Sequence, residues 1–122
     1  MSKPTLAYAL ASQPLIFFSF SGTTTTASQY LSGPGGIAAD GIPVPFAGTL
    51  VKIIVFDGSN TYTDDDSITF SAGDRLSVFC QNAGSNFTVR ARLNGSSTAL
   101  QVTGVPFNST LQVTLVFAIN RV

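Results

Sequence analysis

Asp64-Asp65-Asp66 is the one place in this 122-residue chain where acidic side chains gather. Neighbouring carboxylates can share a proton for acid–base work, or hold a hard cation such as calcium, which takes about six to eight oxygen ligands. The spacing is not that of a calcium loop, and successive residues of an extended chain point apart. Asp64, Asp65 and Asp66 are therefore weak candidates for a metal site and read first as a solvated hairpin tip. Asp40, Asp57 and Asp74 each stand beside a glycine, the pairing of tight turns. The rest of the catalytic inventory is thin. His and Glu are both absent, which removes a Ser-His-Asp triad, a Cys-His pair and a His-bearing zinc site. The single cysteine, Cys80, falls on the apolar side of a strand pattern and reads as a small core hydrophobe. No catalytic residue and no cofactor is expected, and the chain does not read as an enzyme. Arg90 and Arg92 share the wet face of one strand with Thr88. They either grip a carboxylate on a partner subunit or keep a sheet soluble, and both readings stand.

The elements that carry these residues are strands. Phe87, Val89, Ala91 and Leu93 alternate with Thr88, Arg90, Arg92 and Asn94, one face buried and one wet. Asn94-Gly95 follows at once, the strongest short hairpin signal, so a strand over about 97–102 should pair back on 87–93. Leu76, Val78 and Cys80 alternate in the strand before. Leu50 to Phe56 is a nearly continuous apolar strand closed by Asp57-Gly58, and Ile68 and Phe70 mark a short one. In the last strand, about 109–119, Leu111, Val113, Leu115, Phe117 and Ile119 share a face. Its other face holds Val116 and Ala118 and is expected to be covered in part. Leu15 to Phe20 is apolar on both sides, Ser21 to Ser28 reads as a polar loop, and Gly33-Pro34-Gly35-Gly36 breaks regular structure. These seven to nine short strands, with no convincing helix, predict an all-β fold: a β-sandwich with jelly-roll topology over residues 15–122.

Residues 1–14 read as an extended arm, with Leu6, Tyr8 and Leu10 at alternate positions and alanines between them. Such a row of apolar groups needs a surface to lie on. Lys3 followed by Leu6–Ala11 loosely mimics a signal peptide, but the run is too short, and synthesis in a cytoplasm is expected. Asn86, Asn94 and Asn108 begin glycosylation triplets that are common by chance in a chain with 28 Ser and Thr.

Bulk composition points toward assembly. Only 10% of residues are charged, net charge is zero, and mean hydropathy is positive at +0.34. Weak self-repulsion and excess apolar surface favour an oligomer over a monomer. Six cations spread over the chain make no basic stripe for nucleic acid. No apolar run approaches the roughly 20 residues of a membrane span.

Three stretches carry a resemblance: Pro45-Phe46-Ala47-Gly48-Thr49-Leu50, then Phe70-Ser71-Ala72-Gly73-Asp74-Arg75-Leu76-Ser77-Val78, then Leu93-Asn94-Gly95-Ser96-Ser97-Thr98-Ala99-Leu100. Together, over about residues 42–119, they resemble the trimeric jelly rolls of tumour-necrosis-factor or C1q-like shape found in virions of tailed bacteriophages. The resemblance implies a structural virion protein made in a bacterial host. It would be a homotrimeric cement protein that decorates the capsid surface and holds the major capsid protein, with the arm, Leu6, Tyr8 and Leu10 included, and Arg90 and Arg92 as contacts. The alternative is a tail-fibre or receptor-binding module contacting a cell-surface glycan, although the chain shows no heptad or collagen-like shaft. A stand-alone lectin is the third reading, weakened by the absence of Trp.

Overall fold

Asn94 and Gly95 both adopt positive φ, 52° and 81°, the backbone that a two-residue type I′ hairpin requires. The turn brings Ser96 opposite Leu93 and Ser97 opposite Arg92, as the sequence predicts. Asn94 also ties this tip to the strand before it: its side-chain oxygen accepts from the Arg75 amide at 2.9 Å. The computed structural model describes residues 14–37 and 39–120, with the backbone alone at Ile37. The expected arm contacts Leu6, Tyr8 and Leu10 lie outside the described residues.

Eleven strands run in chain order: β1 (Leu15–Thr23), β2 (Gln29–Tyr30), β3 (Ser32–Gly33), β4 (Gly36–Ile37), β5 (Ile42–Pro43), β6 (Gly48–Phe56), β7 (Thr61–Phe70), β8 (Arg75–Asn82), β9 (Phe87–Leu93), β10 (Ser96–Val105) and β11 (Thr110–Ile119). Seven of them are long, and no helix occurs among the described residues. They form two antiparallel sheets. The first has the order β4-β3-β1-β11-β6-β7; the second runs β10-β9-β8-β2, with β5 also on β8. β2 pairs with Phe79 and Cys80 and β5 with Arg75 and Leu76, so the two short strands share in tandem the edge of β8 that β9 leaves open. β1 and β11, from the two ends of the chain, pair over nine positions, Leu15 opposite Ala118 to Thr23 opposite Thr110. β6 and β7 form a hairpin, and β8, β9 and β10 a meander.

Period-2 alternation builds one shared core between the sheets. Leu50, Ile53 and Val55 of β6 and Leu111, Val113, Leu115 and Phe117 of β11 meet Leu76, Val78 and Cys80 of β8 and Phe87, Val89 and Ala91 of β9. Phe117 packs edge-on against Phe18 and Phe70, with ring centroids 5.0 and 5.6 Å apart. Cys80 is buried here as expected, and burial pushes its thiol up to about 12.

Three local expectations need correction. Ser21–Thr23, read as the start of a polar loop, continue β1, whose pairing with β11 carries them to Thr110. Gly33–Gly36 does not break structure; Pro34-Gly35 turns a minimal hairpin, β3 onto β4. Pro with fixed φ followed by Gly35 at φ 85° is the composition of a type II turn. Asp64-Asp65-Asp66 is also not a hairpin tip. β7 extends through the whole Asp triplet, pairing Lys52 with Asp65 and Ile53 with Asp64. A register shift between Leu50–Ile68 and Lys52–Asp65 sets Asp66 and Ser67 together opposite Val51, a β-bulge.

Candidate interaction surfaces

Strand geometry sends the three central carboxylates to three different places. The Asp64 carboxylate accepts from the Gln101 amide at 3.1 Å, joining β7 to β10 where the β9–β10 register shifts. Asp65 points the other way, to Lys52 at 3.4 Å, in the one ion pair among the described residues. Asp66 accepts from the Ser67 amide within the bulge, at 2.7 Å. Among the described residues no three His, Cys, Asp or Glu side chains come close enough to hold a metal ion. Asp57 and Asp74 close turns. Asp57 accepts from the Ser59 and Asn60 amides and the Tyr62 hydroxyl, at 2.8, 2.6 and 2.8 Å. These bonds, the Asn60 amide foremost, hold Asp57 below the ordinary carboxylate range, and the same carboxylate pushes Tyr62 up. Asp74 is held low by the Ser71 amide, then by the Asn94 side chain.

Arg90 and Arg92 lie on the outer face of the second sheet, where the sequence places them, but that face is not simply wet. Thr88 is buried, and Arg90 and Arg92 are half-buried. Over Arg92 the cover comes from aromatic rings that β2 and β8 bring across β9. The Arg92 guanidinium lies 4.1 Å from the Phe79 ring centroid and 5.5 Å from that of Tyr30, a cation–π geometry that holds it flat. Tyr30 and Phe79 pack on each other at 4.8 Å, and Arg92 donates to the Tyr30 hydroxyl at 2.7 Å. Arg90 donates to Gln81 at 3.0 Å. Beneath Arg92, its cross-strand neighbour Ser77 is fully buried. The Ser77 hydroxyl and the Arg92 Nε are both buried without a hydrogen-bond partner. No local pattern in the sequence marks Tyr30 or Phe79 as part of this cluster, because the three rows come from distant positions in the chain.

The outer face of the first sheet is apolar at one end. Leu15 and Phe17, opposite Ala118 and Val116, are 68% and 63% exposed. Phe46, just before β6, is 56% exposed. The Ile119 amide donates to Pro14 and the Asn120 amide to Ala47, so these segments meet at one corner. Leu15 and Phe17 had a sequence signal: a run apolar on both sides, only one of which a two-sheet core can cover. No helix among the described residues is long and apolar enough to cross a membrane.

Comparison with protein-family models, with curated proteins and with solved structures gave no match.

Proposed function

We propose that the chain is a non-enzymatic structural protein of a bacteriophage virion. As a homotrimer, it decorates the capsid surface and stabilises it by binding the major capsid protein. The observation that carries this reading is the apolar corner of Leu15, Phe17 and Phe46. Large apolar groups clustered on a surface with few charges and no net charge are an assembly surface, because a free monomer gains nothing by wetting them. The proposal keeps Leu6, Tyr8 and Leu10 of the expected arm as capsid contacts. The jelly-roll part of the proposal draws on the pairing of β1 with β11, the first and last strands described, as in a nested winding; the β6–β7 hairpin and the meander β8-β9-β10 depart from that winding.

The test is copy number in purified virions by quantitative mass spectrometry. A decoration protein is present in on the order of hundreds of copies, set by the capsid lattice. A few to a few dozen copies would replace this reading with the tail-fibre or receptor-binding one.

A further inference from the structure

We infer that the outer face of the second sheet receives carboxylates from a second copy of this chain, Arg90 and Arg92 of one subunit facing Asp65 and Asp66 of the next. The inference rests on the homotrimer proposed above and names its contact. It starts from charges left unpaired within the subunit. Arg75, Arg90 and Arg92 all project from β8 and β9, yet among the described residues none has a carboxylate in ion-pair reach. Their hydrogen bonds go to neutral oxygens: the Asp40 carbonyl for Arg75, Gln81 for Arg90, and Tyr30 for Arg92. Arg92 is held against Phe79 and Tyr30, and its Nη1 donates to the Tyr30 hydroxyl and the Gly95 carbonyl, so the charge is fixed in place without a carboxylate. Among the described residues, the Nε of Arg92 and the hydroxyl of Ser77 are also buried without a hydrogen-bond partner.

The complementary charge stands elsewhere on the same chain. β7 is the terminal strand of the first sheet, and Asp65 and Asp66 are exposed on it. Among the described residues, Asp65 has only the half-exposed Lys52, and Asp66 only the amide next to it. A cationic face and an acidic edge on different parts of one subunit pair head-to-tail, and a head-to-tail contact that closes makes a ring. Exposed pairs of this kind contribute little affinity each. Their work is to fix register and orientation while Phe79, Tyr30 and the surrounding face supply area.

The experiment reverses charge on the full-length protein and reads mass by light scattering at low micromolar concentration, with a thermal melt to check folding. Arg90→Glu and Asp66→Arg are chosen because neither side chain packs in the core. Each alone sets like charges face to face, which costs far more than the lost pair gave, and is expected to shift the protein from three subunits toward the 12.7 kDa monomer, with the double variant R90E/D66R restoring the trimer. High salt should weaken the parent trimer, since it screens exposed charges. Single variants that stay trimeric, or a folded double variant that stays dissociated, would overturn the inference. So would a parent protein that is monomeric at low salt; capsid binding by that monomer, measured separately, would keep the decoration reading alive. Loss of capsid binding with the trimer intact would also overturn it, and would assign the face to the capsid protein.

Discussion

Gly48→Ala is the substitution that most directly tests how the first sheet is knitted at its apolar corner. Gly48 opens β6 and sits between two strands, opposite Ile119 on β11 and Phe70 on β7. A Cβ added there falls inside van der Waals contact of the Ala118 carbonyl oxygen, with Phe70 Cζ at 3.0 Å. The obstruction is backbone held in a ladder, so it cannot rotate away. Overpacking of this kind costs about 1–3 kcal/mol, and a fixed backbone neighbour places it at about 2–3 kcal/mol. Unfolding entropy near 2.1 cal/mol/K per residue over 122 residues is about 0.26 kcal/mol/K. The midpoint should then fall by roughly 8–12 °C. The assay is a thermal melt by circular dichroism, parent and variant at one protein concentration, since assembly makes Tm concentration-dependent. A midpoint within about 1 °C of the parent would refute the Gly48–Ile119 register, and with it the corner that joins Pro14, Ala47 and Asn120.

Gly95→Val should cost about 1–3 kcal/mol by backbone strain alone, because φ is +81° while the space around an added Cβ is open; an unchanged Tm would contradict the I′ turn. Cys80 should resist a disulfide reagent at pH 8 until the protein unfolds. Its folded thiol, raised from about 9 to about 12 by burial, gives stability that is whole below the unfolded value and lost as pH rises from about 9 toward 12; reaction of the native protein at the rate of a free thiol would show the site to be open. Asp57 and Asp74 should titrate below 3.8 by NMR, with their share of stability present above that value and lost as pH falls through their folded ones; ordinary titration at Asp57 would remove its turn bonds. Deleting residues 2–12 should leave the sandwich folded with a near-parental melt while weakening attachment to particles; unfolding on truncation would make the arm part of the core.

Where local chemistry decides the outcome, the sequence was legible. Alternation over 87–93 and the Asn94-Gly95 pair locate β9, the turn and the start of β10 to within a residue, because one buried face and two positive φ angles leave no other register, while β10 runs three residues past the expected end, to Val105. β11 is equally clear, and Ala118 on its second face is indeed buried. β7 was missed over residues 61–67 because Asp is disfavoured in strands. What overrides that preference is tertiary: β6 pairs along its length, the Gln101 amide takes Asp64, Lys52 takes Asp65, and a bulge absorbs Asp66 and Ser67. The Arg90–Arg92 face shows the same limit. Its polar residues were placed correctly, but the rings that flatten Arg92 come from β2 and β8, and no periodicity within β9 announces them. The apolar corner depends on a meeting of Pro14, Ala47 and Asn120 that only the fold creates.

Co-sedimentation with undecorated capsids tests the decoration reading most directly, comparing the full-length protein with Phe17→Lys and Leu15→Lys. Both side chains are mostly exposed, so the variants should fold and melt like the parent. The parent should bind capsids saturably at lattice stoichiometry. Either lysine should weaken binding by roughly 10–100-fold, the loss of about 1.4–3 kcal/mol that an apolar anchor gives at an interface. A full-length protein that binds no capsid at micromolar concentration, yet binds host cells or their polysaccharide, would contradict the reading.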